Sequence, residues 1–378
     1  MRIALVHDYL VQYGGAERVL ECFSELFPYA PIYTLVYNKK LMHGVLEGKN
    51  IKTSFIQKFP FSSKYHRIFP QFMPSAIEQF DFSAYDIVLS DSSSYAKGVI
   101  TGPDTLHICY MHTPMRYAWD DCQKYTHDFY FPSLIKKIIP FFMNYIRIWD
   151  RLSIERVDRL VANSNFVAKR IKKYYKKESL VIYPPVNFES FSISKKNQSE
   201  EAGYFLMVGR LIAYKRFDIA IRAFNELGLK LKIIGRGPEI KRLKKMAGPN
   251  IEFLGRLTDQ ELAEHCSECQ AFIFPQEEDF GIVAIEAMAS GRPVIAYRGG
   301  DIPEHLEDGK TGIFFENQKS EDIVAAVKKF QGIKFDSEHI RESVRKFDKS
   351  VFKAKIKEYI DKELKLFAMT NDQFPITK

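Results

Sequence analysis

The sequence has little of what would commit it to a membrane, a disulfide scaffold or a metal. It holds only five cysteines and two tryptophans in 378 residues. No uninterrupted apolar run approaches the roughly 18 residues of a spanning helix. The best candidate, "LIKKIIPFFMNYIRIW" from Leu134, is broken by Lys136, Lys137 and Arg147. "MRIALVHDYL" begins directly as an apolar strand, so a secretory signal is not expected. Cys22, Cys109, Cys122, Cys266 and Cys269 are scattered, which argues for a reducing, cytoplasmic setting without disulfides. Cys266 and Cys269 form a C-x-x-C beside His265, but a structural metal needs a second ligand pair and none follows. Two cysteines sharing one helix face are expected there. A D-x-D metal motif is also missing. "IIGRGPE" carries a G-x-G without its continuation, which argues against a nicotinamide-dependent oxidoreductase.

What is present is an ordinary globular composition, 46% hydrophobic and 27% charged, long enough for two domains. Only the residues after Phe367 read as disordered. Lys and Arg outnumber Asp and Glu by 55 to 47, for a net charge of +8. A basic surface suits phosphorylated ligands, an anionic membrane or nucleic acid. The densest run is "AKRIKKYYKK", with Lys169, Arg170, Lys172, Lys173, Lys176 and Lys177 around Ile171, Tyr174 and Tyr175.

Short apolar runs alternate with helical patterns in the first half: "RIALVH", "YDIVLSDSS", "LHICYMHTP" and "RLVANSNFVAKRI", the last with Ser164 or Asn165 as a helix cap. This predicts a parallel sheet covered on both faces. "VIYPPVNFESF" and "SISKKNQSEEAG" interrupt the rhythm as a linker near Pro184–Gly203. Alternation then restarts at "YFLMVGRL" and continues through "PVIAY". The expectation is an α/β chain of two Rossmann-like domains, residues 1–185 and 186–349, followed by residues 350–378 as a C-terminal helix and tail.

Ligands in open parallel sheets bind beyond the carboxyl ends of the strands. Two sheets facing across a cleft would gather those ends around one ligand. The loops to inspect are Asp8–Gly15, Ser90–Ser94, His112–Asp120, Gly209–Lys215, Gly235–Pro238, Gly255–Thr258 and Pro275–Gly281. Arg210 and Lys215 suit a pyrophosphate, the first as a bidentate fork and the second as a point charge. In "QEEDFGIVAIEAMASGRPVIAY" a helix starts near Gly281 or Ile282, and its first N–H groups form an anion site. Glu286 lies one turn in, among apolar neighbours. A carboxylate buried there needs partners, which ribose hydroxyls would supply. Glu278, before the helix, is placed for hydroxyls at the other end of the same ligand. The spacing suits a nucleotide sugar.

These residues together resemble the retaining GT-B glycosyltransferases of family four. The E-x7-E motif is Glu278 to Glu286, the basic pair is Arg210 and Lys215, and the glycine-rich first loop is "GGAERV" from Gly14. The resemblance implies a fold whose last helix crosses back to the first domain. It implies that Arg210 and Lys215 stabilise the leaving diphosphate, Glu286 holds the ribose and Glu278 the donor sugar. Phe280, Gly281, Ile282 and Val283 would complete the donor cradle. Gly14 and Gly15 would approach the diphosphate, and His112 in "YMHTPMRYAWD" would be the active-site histidine at the sugar. That string resembles the branch using GDP-mannose in O-antigen and exopolysaccharide synthesis. Asp120, at its end, would order the His112 loop or touch acceptor.

The function expected is therefore transfer of a hexose, mannose from GDP-mannose, to a glycan or lipid-linked acceptor, without a metal or other cofactor. A front-face mechanism is implied, in which the leaving phosphate takes the acceptor proton. The competing readings are a UDP-sugar donor and, in a different class, a basic membrane- or nucleic-acid-binding module without catalysis. Nucleic acid is not an expected partner, because it leaves the Arg, Lys and Glu positions unexplained. Residues 169–177 are expected either as a solvated face or as a dock on an anionic inner leaflet, placing the protein in the cytoplasm or peripherally on the membrane.

Overall fold

The computed structural model describes residues 1–65, 70–120, 133–194 and 203–373. Contacts divide the chain into two compact units. One is Met1–Pro185 together with the C-terminal segment from Phe352, and the other is Val186–Val351.

The first unit is a seven-stranded parallel sheet. Its strands are β1 (Ile3–Leu10), β2 (Ile32–Tyr37), β3 (Ile51–Thr53), β4 (Ile87–Ser92), β5 (Leu106–Met111), β6 (Arg159–Ala162) and β7 (Leu180–Val181). The order is β3-β2-β1-β4-β5-β6-β7. Period-two alternation sends Ile3 and Leu5 of β1, with Ile87 and Leu89 of β4, into one core. Ala4, Val6 and Val88 enter another core on the opposite face. The inner strands are buried on both faces, as near-continuous apolar runs predict, while the edge strands β3 and β7 are partly exposed.

β1 is longer than its apolar run. Asp8 lies inside it, where a polar turn was expected. The Asp8 carboxylate accepts backbone N–H bonds from Ser93, Tyr95 and Ala96 at 2.7, 2.7 and 2.6 Å. Three donors satisfy a buried anion, so the strand continues through it.

The final helix, Lys349–Gln373, extends six residues beyond Phe367, where disorder was expected. Ala368 and Met369 are good helix formers, and no proline intervenes before Pro375. Phe352, Ile356 and Ile360 recur on one helical face and are buried in the first unit's core. Phe352 stacks on Phe23 at 5.9 Å and meets Tyr110 edge-on at 5.8 Å. Lys353 pairs with Glu25 and Glu363 with Arg159.

The second unit is a six-stranded parallel sheet in the order β10-β9-β8-β11-β12-β13. The strands are β8 (Phe205–Val208), β9 (Leu231–Ile234), β10 (Ile251–Gly255), β11 (Phe272–Phe274), β12 (Val294–Tyr297) and β13 (Gly312–Phe315). Each sheet has a switch in strand direction order, between β1 and β4 in the first and between β8 and β11 in the second. A crevice opens at such a point.

Candidate active site

In the second unit, the loops leaving β8 and β11 meet at the switch point. Lys215 closes a 3-10 turn, Ala213–Lys215, after β8. Its ammonium lies 2.9 Å from the Glu278 carboxylate, on the loop after β11, and both side chains are largely buried. Burial opposes the charge on Lys215, but Glu278 and then Tyr214 outweigh it and raise its pKa, so it stays cationic. Arg210 is exposed, yet close enough to act against the Lys215 charge. Gly209 explains how Lys215 folds back. Its φ of +155° suits glycine, and a Cβ there would stand 3.2 Å from Lys215 Nζ.

The Ile282–Ala289 helix begins at Gly281, whose left-handed φ of 76° makes it the cap. A Cβ on Gly281 would fall 2.9 Å from Phe274 Cζ. The first bond into the helix is made by Ala284 N to Gly281 O, so the N–H groups of Ile282 and Val283 precede the intrahelical ladder. Glu286 is buried. Phe280 packs edge-on against His305 at 5.5 Å and Phe347 at 5.3 Å. His305 in turn reaches Asp301 at 2.5 Å, and Asp301 N donates to Glu278 O at 3.1 Å. Asp301, His305 and Phe347 are not singled out by any of the sequence motifs. The G-G-D turn after β12, Gly299–Asp301, was the available signal, since only glycine at 300 permits its close approach to the Glu278 backbone.

In the first unit, His112 directly follows β5. His112 Nε2 lies 2.5 Å from Asp91 Oδ1, and the other Asp91 oxygen lies 2.8 Å from His7 Nδ1. His7 Nε2 is 3.7 Å from Glu17 Oε1. Glu17 Oε2 accepts the Gly14 N–H at 2.9 Å, capping the Gly15–Leu26 helix. Burial works against a charged His7, but its partners Asp91 and Glu17 raise its pKa to about 10. Burial also opposes the Asp91 carboxylate, and His112 with His7 pull its pKa below the usual carboxylate range. The loops of "LVHDYL" and "LSDSS" were marked by position, but His7, Asp91 and Glu17 were not singled out. A cavity of about 350 Å³ adjoins this network, with Glu17, Thr113 and Arg116 on its polar side and Met73, Phe142 and Met143 on its apolar side.

Asp120 binds the basic helix Asn165–Tyr175, pairing with Arg170 and accepting the Tyr174 hydroxyl. Arg170 also donates to Thr113 at 2.7 Å. Of the two roles open to Asp120, these contacts describe ordering of the His112 loop. Ser164 is the helix cap. The basic run is less free than its composition suggests: Lys172 pairs with Glu178 and Lys177 with Glu155. Ile171 and Tyr175 are buried, and Tyr174 stacks on Trp119.

Cys266 lies in the Asp259–Glu268 helix and Cys269 caps its end one turn on, with its thiol donating to the Cys266 carbonyl at 3.3 Å. Both are buried, which pushes the Cys266 thiol well above its usual range and Cys269 to about 12. Cys122 lies outside the described residues. Among the described residues, no helix is long and apolar enough to cross a membrane.

Comparison with known proteins agrees with this architecture. Residues 13–190 match the model of Glycosyltransferase Family 4, and residues 188–347 match that of Glycosyl transferases group 1. The chain has the GT-B glycosyltransferase fold. A GT-B neighbour, the Anabaena HepE protein in complex with UDP-glucose, superposes with a TM-score of 0.70 at 16% identity, covering 96% of this chain and all of that one. An uncharacterized glycosyltransferase of Methanocaldococcus jannaschii is 29% identical over 182 residues, 47% of this chain and 50% of that protein. A GDP-mannose-dependent phosphatidylinositol monomannoside mannosyltransferase of Mycolicibacterium smegmatis is 33% identical over 138 residues, 32% of this chain and 36% of that protein. The GT-B chain thus spans half or less of the length of these curated relatives.

Proposed function

We propose that this protein is a retaining glycosyltransferase that moves mannose from GDP-mannose to a glycan or lipid-linked acceptor in surface polysaccharide synthesis. The observation that carries the reading is the Lys215–Glu278 pair at the β8/β11 switch point, beside a helix opened by Gly281. Lys215 and Arg210 would meet the leaving diphosphate together with the Ile282 and Val283 N–H groups. Charge grows on that diphosphate in the transition state, where preorganised donors contribute most. Glu278 would exchange its partner Lys215 for sugar hydroxyls when donor binds. Phe280, held by His305 and Phe347, shapes the same loop, and Glu286 would take the ribose.

To the first unit the reading assigns His112 at the sugar, Gly14 and Gly15 at the diphosphate, and the acceptor in the cavity beside Thr113 and Arg116. The cavity's mixed walls suit an acceptor with both polar and apolar parts. The reading puts the protein in the cytoplasm, free or peripherally on the inner leaflet. The mannosyl donor is favoured by the mycobacterial-type relative's specificity, and a UDP-sugar by the ligand of HepE. A panel of GDP- and UDP-sugars, read by thermal stabilisation and by donor hydrolysis, separates them. GDP-mannose should give the largest shift and the fastest hydrolysis. A UDP-sugar doing so would replace the donor, and inertness to the whole panel with vesicle or RNA binding retained would favour a non-catalytic module.

A further inference from the structure

Four ionisable side chains form a continuous line in the first unit. It runs from Glu17 on the Gly15–Leu26 helix to His7 on β1, then to Asp91 on β4, and ends at His112 after β5. His7, Asp91 and Glu17 are buried. Glu17 continues the line to the backbone of Gly14.

We propose that His7 is a positioning residue: it joins Asp91, which orients the His112 ring, to Glu17, which holds the Gly14 backbone, so that the histidine and the glycine loop are set as one unit. The proposal rests on the reading of His112 and the Gly14–Gly15 loop as parts of the active site.

Hydrogen-bond chemistry gives the line its direction. Asp91 has two oxygens and no proton to give when ionised, so each histidine nitrogen facing it donates. His112 therefore carries a proton on Nε2. His7 donates from Nδ1, and its Nε2 faces a second carboxylate. A neutral ring would turn a lone pair toward the Glu17 anion, whereas an imidazolium presents a proton there. The groups facing His7 are Asp91 from β4 and Glu17 from the helix. Its register partner on β2 is Thr34, which does not titrate. Two buried carboxylates with one cation between them are mutually dependent, so loss of either anion changes the other's partner. Burial and the hydrogen bonds at Asp91 and Gly14 hold the two ends of the line, and the His7–Glu17 ion pair at 3.7 Å joins them, a support of the kind active-site groups need.

The experiment reads charge and coupling without turnover, so it stands whether or not the donor assignment does. Protein labelled with ¹⁵N in histidine and glycine is titrated from pH 6 to 9. The His7 ring should stay doubly protonated throughout, with His112 showing a proton on Nε2. In Glu17→Gln, a near-isosteric change at the helix start, His7 should lose its second proton within this range. The Gly14 amide should exchange at least tenfold faster, and the His112 ring resonances should move although two residues of the line separate it from Glu17. Glu21→Gln on the same helix, whose carboxylate accepts from Tyr13 at 2.6 Å, should leave all three signals in place. Asp91→Asn should move the His7 and His112 signals together. Titration of His7 between pH 6 and 7 in the unaltered protein would overturn the proposal. So would His112 and Gly14 signals that ignore Glu17→Gln, or that respond equally to Glu21→Gln. If Asp91→Asn does not fold, the Glu17→Gln comparison decides alone.

Discussion

Lys215 Nζ and Glu278 Oε1 are 2.9 Å apart, so the cation proposed for the diphosphate and the acid proposed for the sugar neutralise each other in this structure. Under the proposed reading, donor binding would separate them. Lys215→Ala removes the cation and also leaves Glu278 without this partner. Turnover of the donor should fall by about 10²–10³-fold, the range for one preorganised charge-stabilising group. The measurement is donor hydrolysis and transfer, with folding followed by circular dichroism. Unchanged turnover in a folded variant would remove Lys215 from the machinery.

The two cations also set the expectation for metals. Arg210 and Lys215 would supply the charge that a divalent ion supplies in enzymes with a D-x-D motif. Turnover should survive excess EDTA and gain nothing from added Mg²⁺ or Mn²⁺. Activity that vanishes with chelator and returns with either ion would overturn this assignment.

His7 predicts how stability varies with alkaline pH. Its folded pKa of about 10 lies above the ordinary value of 6.5, because Asp91 and Glu17 overcome the effect of burial. A raised pKa means the folded state binds the proton more tightly. The stabilisation is complete below about pH 6.5 and is lost as pH rises through about 10. Urea unfolding of wild type and His7→Gln from pH 6 to 10 checks it. The stability gap between them should shrink steadily with rising pH, and a gap that stays constant or widens would contradict the charged state of His7.

Much of the second unit's site was legible because single residues there carry local signals. Gly281 marks a left-handed cap, and Lys215 and Glu278 occupy strand-end loops. The His7–Asp91–His112 line was not legible in the same way. His7 and Asp91 become neighbours only through the β1–β4 pairing, 84 residues apart. Strand order decides that contact, and no periodicity reports it. Asp8 misled for a related reason: a polar residue reads as a turn, but its three backbone donors come from the segment after β4. The basic run at residues 169–177 was legible as charge. Its partners Glu155 and Asp120 come from outside the run.

The final helix gives a stability prediction. Phe352 is buried against Phe23 and Tyr110, so Phe352→Ala should cost about 3–5 kcal/mol, the range for emptying a buried aromatic site. Deleting the chain from Ser350 removes Ile356 and Ile360 as well, and exposes the core they cover. Limited proteolysis should then cut within residues 1–185 at denaturant concentrations the intact chain resists. A truncated protein whose first unit stays resistant would show that the helix is dispensable to it.

The last prediction concerns the membrane surface. Lys169, Lys172, Lys173 and Lys176 are exposed along one helix and its end, and each basic residue near an anionic leaflet contributes roughly 1 kcal/mol. Ion pairs of Lys172 and Lys177 with Glu178 and Glu155 reduce the attraction available from the run. Charge alone would therefore be a weaker anchor than six cations suggest, and apolar contact would have to share the task. The Ser133–Ser153 helix offers it: Phe141, Tyr145, Ile148 and Leu152 are exposed at spacings of four, three and four, a single helical stripe. Cosedimentation with anionic vesicles should weaken with salt and fall when Lys172, Lys173, Lys176 and Lys177 become Gln. Ile148→Asp should lower it further, and what binding remains in high salt should depend on the stripe. Equal pelleting with zwitterionic vesicles, or no response to the four Gln substitutions, would remove the basic run from any membrane role. Loss of binding only in Ile148→Asp would assign docking to the stripe alone.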